Sequence, residues 1–178
     1  MEAQEITLAM VFDGWQGYQV SLVKAIEPLT RESLSYRPAP GLRTVGEVVN
    51  HIAGGRGGWL LRIGEVSPER VRPVEKWNET DGAREDAAEL VRRLEASWQL
   101  VEEKLKNWNV ADLAQVYPLP YAGKRFAVSR QWVLWRIMAH DLHHGGEIAL
   151  MLGEQGIAIP ELGMEGGHII APPLMEEL

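Results

Sequence analysis

One periodicity constrains this chain more than any other feature. Between Gly82 and Lys106, Ala87, Leu90, Val91, Leu94, Trp98, Val101 and Leu105 recur at spacings of three and four, an unbroken apolar stripe on one side of a helix. Such a stripe must be covered, so the chain has to supply partner helices. Three other stretches meet that demand. Ala3 to Leu29 carries Leu8, Val11, Trp15, Tyr18, Leu22 and Ile26 in the same rhythm, with Pro28 near its end. A second helix, to about Ile63, opens on Thr44-Val45-Gly46-Glu47, a capping box in which hydroxyl and carboxylate satisfy orphan amides reciprocally. The last starts at Ser129, a good N-cap, and runs to about Gly153. Four long amphipathic helices with little strand signal between them predict an all-α fold, a four-helix bundle.

The connections are long. Tyr36 to Gly41 reads as a loop and Ser67 to Thr80 as irregular. Asn107 to Val128 holds two prolines and the turn Tyr121-Ala122-Gly123-Lys124, with room for a short hairpin. We expect residues 1–156 to form the bundle and residues 157–178 an irregular tail draped over the same domain. The second helix contains Gly54, Gly55, Gly57 and Gly58 around Arg56. Four glycines cost about 4 kcal/mol against alanine in a helix interior. Either the helix breaks here or its missing side chains permit close approach by a neighbour or a ligand; the favoured reading is a continuous but locally weak helix.

Composition narrows the function. With 18 Lys and Arg against 25 Asp and Glu the formal charge is −7, which argues against nucleic acid as a partner. Cysteine is absent, excluding disulfides, thiolate metal sites and an intrinsic thiol nucleophile. No run reaches the roughly 18 apolar residues of a membrane span, so no membrane partner is expected. The first residues lack a signal-peptide pattern, and a cytoplasmic location is the default expectation.

Chemistry concentrates in His140-Asp141-Leu142-His143-His144, which holds three of the five histidines. His140 and His144 lie about 40° apart on one helix face, one turn from each other. Val133, Ile137, Ile148 and Met151 share that face, placing both rings in the apolar stripe. An unpartnered polar group there costs about 1–3 kcal/mol. A shared cation removes the cost, since neutral imidazole is a common metal ligand. A third ligand must come from another helix, and His51, at the edge of the second helix's apolar arc, is the candidate. His143 and His168 read as surface residues. Glu147 shares the face to within about 60° and could be a fourth ligand, an acceptor from an imidazole N–H, or a general base. Glu47, one turn before His51, is already explained by the capping box. Three histidines leave a cation's coordination open, and an open site can acidify water or deprotonate an added thiol. Lys124, Arg125 and Arg136 are candidates to meet an anionic group. A zincin-like reading of His140-Asp141-Leu142-His143-His144 fits poorly, because Asp141 is shorter than the glutamate of H-E-x-x-H.

These segments resemble a known family. Leu34-Ser35-Tyr36-Arg37-Pro38-Ala39-Pro40-Gly41 and Thr44 to Ala53 resemble the loop and second helix of DinB-like proteins, and His140 to Ile148 resembles their fourth-helix signature, H-x-x-H-H-R-G-Q. The similarity extends to about Gly156. It implies a metal-binding four-helix bundle, commonly a homodimer, with zinc or nickel held by three histidines. By motif position these are His51, His140 and His144. Related proteins use low-molecular-weight thiols in transfer or isomerisation reactions. Gly145 and Glu147 stand where the family usually has Arg and Gln. The expected function is therefore a metal-dependent enzyme of the thiol-transferase or hydrolase type acting on a small molecule, with Glu147 assisting proton transfer. The alternative is a non-catalytic, metal-stabilised bundle that dimerises or binds a partner.

Overall fold

The computed structural model describes residues 7–75, 86–159 and Leu162. Four long helices form the bundle: α2 (Asp13–Ile26), α4 (Val45–Arg62), α6 (Ala87–Asn107) and α7 (Arg130–Glu154). Among the described residues there are also short helices α1 (Leu8–Val11), α3 (Arg31–Ser35) and α5 (Pro68–Glu75), a 3-10 turn at Ala111–Ala114 and a hairpin of β1 (Val116–Tyr121) and β2 (Lys124–Ser129). No helix among the described residues is long and apolar enough to cross a membrane.

The caps act as their residue types dictate. Thr44 and Glu47 form the reciprocal capping box of α4, and the Ser129 side chain accepts from the Trp132 amide at the start of α7. The far end of α7 closes with a Schellman motif: Gly156 adopts φ +72°, the Ile157 amide donates to the Leu152 carbonyl, and that of Gly156 to Gly153. α4 is continuous through its glycines, as expected.

Four expectations need correction. The first helix is broken at Phe12, whose backbone leaves helical geometry (φ −106°, ψ 20°) while its ring packs edge-on against Trp15. It then stops at Ile26, short of Leu29: Glu27 keeps helical angles (φ −51°, ψ −42°), but Pro28 has no N–H with which to continue the ladder. The third long helix starts at Ala87, where the Asp86 side chain accepts from the Glu89 amide, so the expected start at Gly82 lies outside both the helix and the described residues. Finally, α3 and α5 occupy stretches without long periodicity; Thr30 caps the first, and Pro68 takes the first position of the second, where its missing N–H is harmless.

The hairpin turns at Ala122 (φ 48°) and Gly123 (φ 72°), the paired left-handed conformations that suit a two-residue hairpin loop. Tyr121 pairs with Lys124, so Pro118 and Pro120, opposite Ala127 and Arg125, fall in non-hydrogen-bonded pairs that need no amide donor. Of the tail, Ile157, Ile159 and Leu162 pack against the bundle; the rest of the expected drape, with His168, lies outside the described residues.

Two apolar clusters form the core. One gathers Trp15, Leu60, Trp98, Val101, Val133 and Ile137, the other Leu22, Ile26, Val48, Ile52, Leu94 and Ile148. On the rim, Glu89 receives Arg92 and Arg93, and Arg93 also donates to Asn50 of α4 at 2.9 Å. The hydrogen bond from Arg92, followed by Arg93, holds the Glu89 carboxyl at about 2 against the opposing effect of burial. A depressed folded-state pKa contributes stability above the unfolded value of 4.5, lost as pH falls towards 2. Glu89→Gln is therefore expected to flatten the acid limb of the stability curve in that window, by about 1 kcal/mol at most for a partly exposed pair. Urea denaturation at pH 3 and pH 6 checks this.

Candidate metal centre

α4 and α7 pack side by side, and their contact brings together three histidines that are up to 93 positions apart in the chain, His51 on α4 and His140 and His144 on α7. Ring centroids are 4.7 Å apart for His51 and His140, 4.7 Å for His51 and His144, and 4.5 Å for His140 and His144. One ligand nitrogen from each lies within 4.8 Å of the others. His140 and His144 are each only 8% exposed, whereas His51 is partly exposed, so the cluster opens along the α4 edge.

Whether these residues suit a cation is decided by their nitrogens. The Nε2 atoms of His140 and His51 stand 3.1 Å apart, and the buried Nδ1 of His140 has no hydrogen-bond partner. If the two Nε2 atoms share a proton, His140 keeps an unsatisfied Nδ1, as N–H or lone pair, at a cost of about 1–3 kcal/mol. Two nitrogens at about 2.0–2.1 Å from a tetrahedral ion are about 3.3 Å apart, close to the spacing seen. Burial, followed by the neighbouring His144 and His51, pushes His140 down to about 3, and burial also lowers His144. Both are therefore neutral at pH 7, the form that donates to a metal. The trio could hold a metal ion.

Of the three roles open to Glu147, its contact fits that of an acceptor from an imidazole N–H. Its Oε2 accepts from His144 Nδ1 at 2.8 Å, which leaves Nε2 as the nitrogen free to face the other rings. The carboxylate opposes the fall in His144 basicity. His143 is exposed; together with His144 and Glu147 it forms a second, more open group that reuses His144. Glu47 serves the capping box and pairs with Arg37 at 3.0 Å. Lys124 and Arg125 lie on the hairpin, which joins α7 about 15 Å along the axis from His140. Arg136 is one turn from His140.

Three features of the site were not identified from the sequence. Asp141 points away from the histidines and is fully buried, accepting from Trp15 Nε1 and Arg56 Nε, both at 2.9 Å, which removes it as a zincin-like base. Arg56, also fully buried, donates through Nη1 to Gln19 (2.7 Å), the Leu94 carbonyl (3.1 Å) and Ser97 (3.4 Å). Gly145 backs onto Tyr18: a Cβ there would stand 1.8 Å from the tyrosine oxygen, so the arginine usual at this position has no room. Burial and Asp141 push the Tyr18 hydroxyl up to about 12, keeping it protonated.

Gly55 supplies the close approach that the glycine run suggested. A Cβ at this position would lie 2.7 Å from His140 Cε1. Gly55→Ala is expected to raise helix stability by up to about 1 kcal/mol while displacing the His140 ring and weakening metal binding about tenfold. A competition titration beside thermal unfolding checks that opposite pair of effects.

The comparisons agree with this architecture. The model of the DinB superfamily matches residues 19–148. A DinB-like protein from Bacillus cereus ATCC 10987 superposes with a TM-score of 0.66 at 21% identity, over 88% of this chain and 98% of its own. A DinB-like protein from Bacillus subtilis gives 0.58 at 19% identity, over 88% and 97%. No curated protein matches the chain.

Proposed function

The chain belongs to the DinB superfamily, and on that premise we propose that it is a metal-dependent enzyme of the thiol-transferase or hydrolase type, in which His51, His140 and His144 hold a divalent cation, zinc or nickel. The observation that carries this reading is the 3.1 Å approach of two imidazole nitrogens from different helices, with a third ring beside them. Three neutral nitrogen donors suit zinc and nickel and do not close a four-coordinate shell. A cation held there supplies Lewis acidity toward water or an added thiol.

The chain's own residues set the conditions. Glu147 fixes the His144 tautomer through Nδ1 and makes the ring a better donor. The general-base role requires this carboxylate to leave the imidazole, so the geometry supports orientation of His144 as its resting task. Burial of His140 and His144 keeps water away from two sides, and the partly exposed His51 edge is the way in for a small molecule. A homodimer belongs to the same proposal: Trp135, Leu142 and Leu150 stand exposed along α7, and a solution mass measurement tests it.

Elemental analysis of untagged protein is expected to return zinc or nickel at one per chain. Chelation should remove thiol-dependent transfer or hydrolysis, and the metal restore it. Undiminished activity in metal-free protein overturns the mechanism. A chelator that lowers the melting temperature of a protein with no such activity favours the structural role instead.

A further inference from the structure

α4 turns most of its middle inward. Between His51 and Leu60 only His51, Gly55 and Trp59 reach solvent, at spacings of four, so a single stripe of the helix is visible from outside. Arg62 extends the stripe and is exposed. α7 borders it with exposed Trp132 and Arg136, then with His140 and His144. Gly55 touches the His140 ring; one turn further along both helices, Trp59 meets α7 again.

That second meeting has an unusual composition. The guanidinium of Arg62 lies 5.1 Å from the Trp59 ring centroid and that of Arg136 5.7 Å, while Trp132 packs edge-on at 5.4 Å. Among the described residues neither arginine has a carboxylate partner, which is true also of Arg31, Arg43 and Arg125, whereas Arg37, Arg56, Arg70, Arg92, Arg93 and Arg130 do; what sets Arg62 and Arg136 apart is that both lie against one indole. In a chain of net charge −7, two cations converge on one indole with no acid between them among the described residues. Cation–π attraction, about 0.5–1 kcal/mol at an exposed site, holds each guanidinium without neutralising it. A stacked guanidinium still presents its N–H edge, the geometry that grips a carboxylate.

We propose that Trp59, Arg62 and Arg136 form an anion-recognition subsite in the same groove as the three imidazoles, taking the carboxylate of a small organic acid whose reacting end reaches His51, His140 and His144. The inference rests on the function proposed above and adds a substrate class to it. Arg136 precedes His140 by four residues and Trp59 follows His51 by eight, so along the helix axes the subsite is offset from the imidazoles by about 6–12 Å.

The test is titration of zinc-loaded and metal-free protein with succinate, adipate and suberate, followed by indole fluorescence and calorimetry. Saturable binding is expected in both forms, with hexanediol inert. Arg62→Gln with Arg136→Gln should weaken it about tenfold or more at unchanged zinc stoichiometry. With zinc present, a dicarboxylate that spans the groove should bind more tightly than propionate. Equal affinities for the wild-type protein and the double variant overturn the subsite while zinc uptake leaves the metal reading intact. If the wild-type protein takes up no zinc, the metal reading fails, and the arginine dependence in metal-free protein still decides the subsite.

Discussion

Replacing His140 or His144 by Ala is expected to weaken metal binding by more than about a hundredfold and to abolish the associated activity. Removing a residue that merely orients a ligand costs about 10–100-fold in affinity, and removing one of three donors must cost more. Glu147→Gln provides the internal scale. The amide oxygen can still accept from His144 Nδ1, so the variant keeps the tautomer but loses the charge, and its cost should stay within the smaller range. Competition titration with a chromophoric chelator orders the variants, and thermal unfolding of the metal-free proteins controls for folding. If Glu147→Gln matches His144→Ala, Glu147 is a ligand. If His51→Ala leaves affinity unchanged, the three-ring centre is wrong.

Most of the scaffold could be read in advance because its signals are local. The α6 stripe, the Thr44 box and the Ser129 cap each depend on residues within a few positions. The pair His140 and His144 was legible for the same reason, since spacing alone stacks them on one face. His51 needed more: its place on an apolar edge made it a candidate, but only the packing of α4 on α7 brings its ring within 3.1 Å of His140. Gly55 announced a close approach without naming the visitor. Arg56 and Asp141 gave no such warning. Arg56 is marked in the sequence only by the glycines around it, and Asp141 only as a poor match to a zincin base; their burial depends on Gln19 from α2 and Ser97 from α6 arriving at the same point. The break at Phe12 depends likewise on where its ring meets Trp15.

That buried pair leads to the second large effect. Asp141→Asn is expected to destabilise the fold by about 3–5 kcal/mol, because it leaves a guanidinium uncompensated in the interior. Both side chains have no solvent exposure, and their bond joins the two helices that carry the histidines. Burial pushes the Asp141 carboxyl up, while Arg56 and the Trp15 indole pull it back. The pair is not ideally satisfied: Arg56 Nη2 and Asp141 Oδ1 lack partners. Replacing both partners by apolar residues of similar volume should therefore cost far less than either single change, since buried ion pairs are often neutral or worse against a hydrophobic isostere. Arg56→Met with Asp141→Leu is the variant to make, and urea denaturation of the two singles and the double gives the coupling. Arg56→Lys should not rescue, because one ammonium cannot reproduce the guanidinium's fixed fork to Asp141, Gln19 and Leu94. Metal affinity separates register from stability. If the ion pair sets the alignment of α4 on α7, the apolar double variant regains its stability but binds metal about tenfold more weakly than the native chain; if it only fills the interior, both recover together.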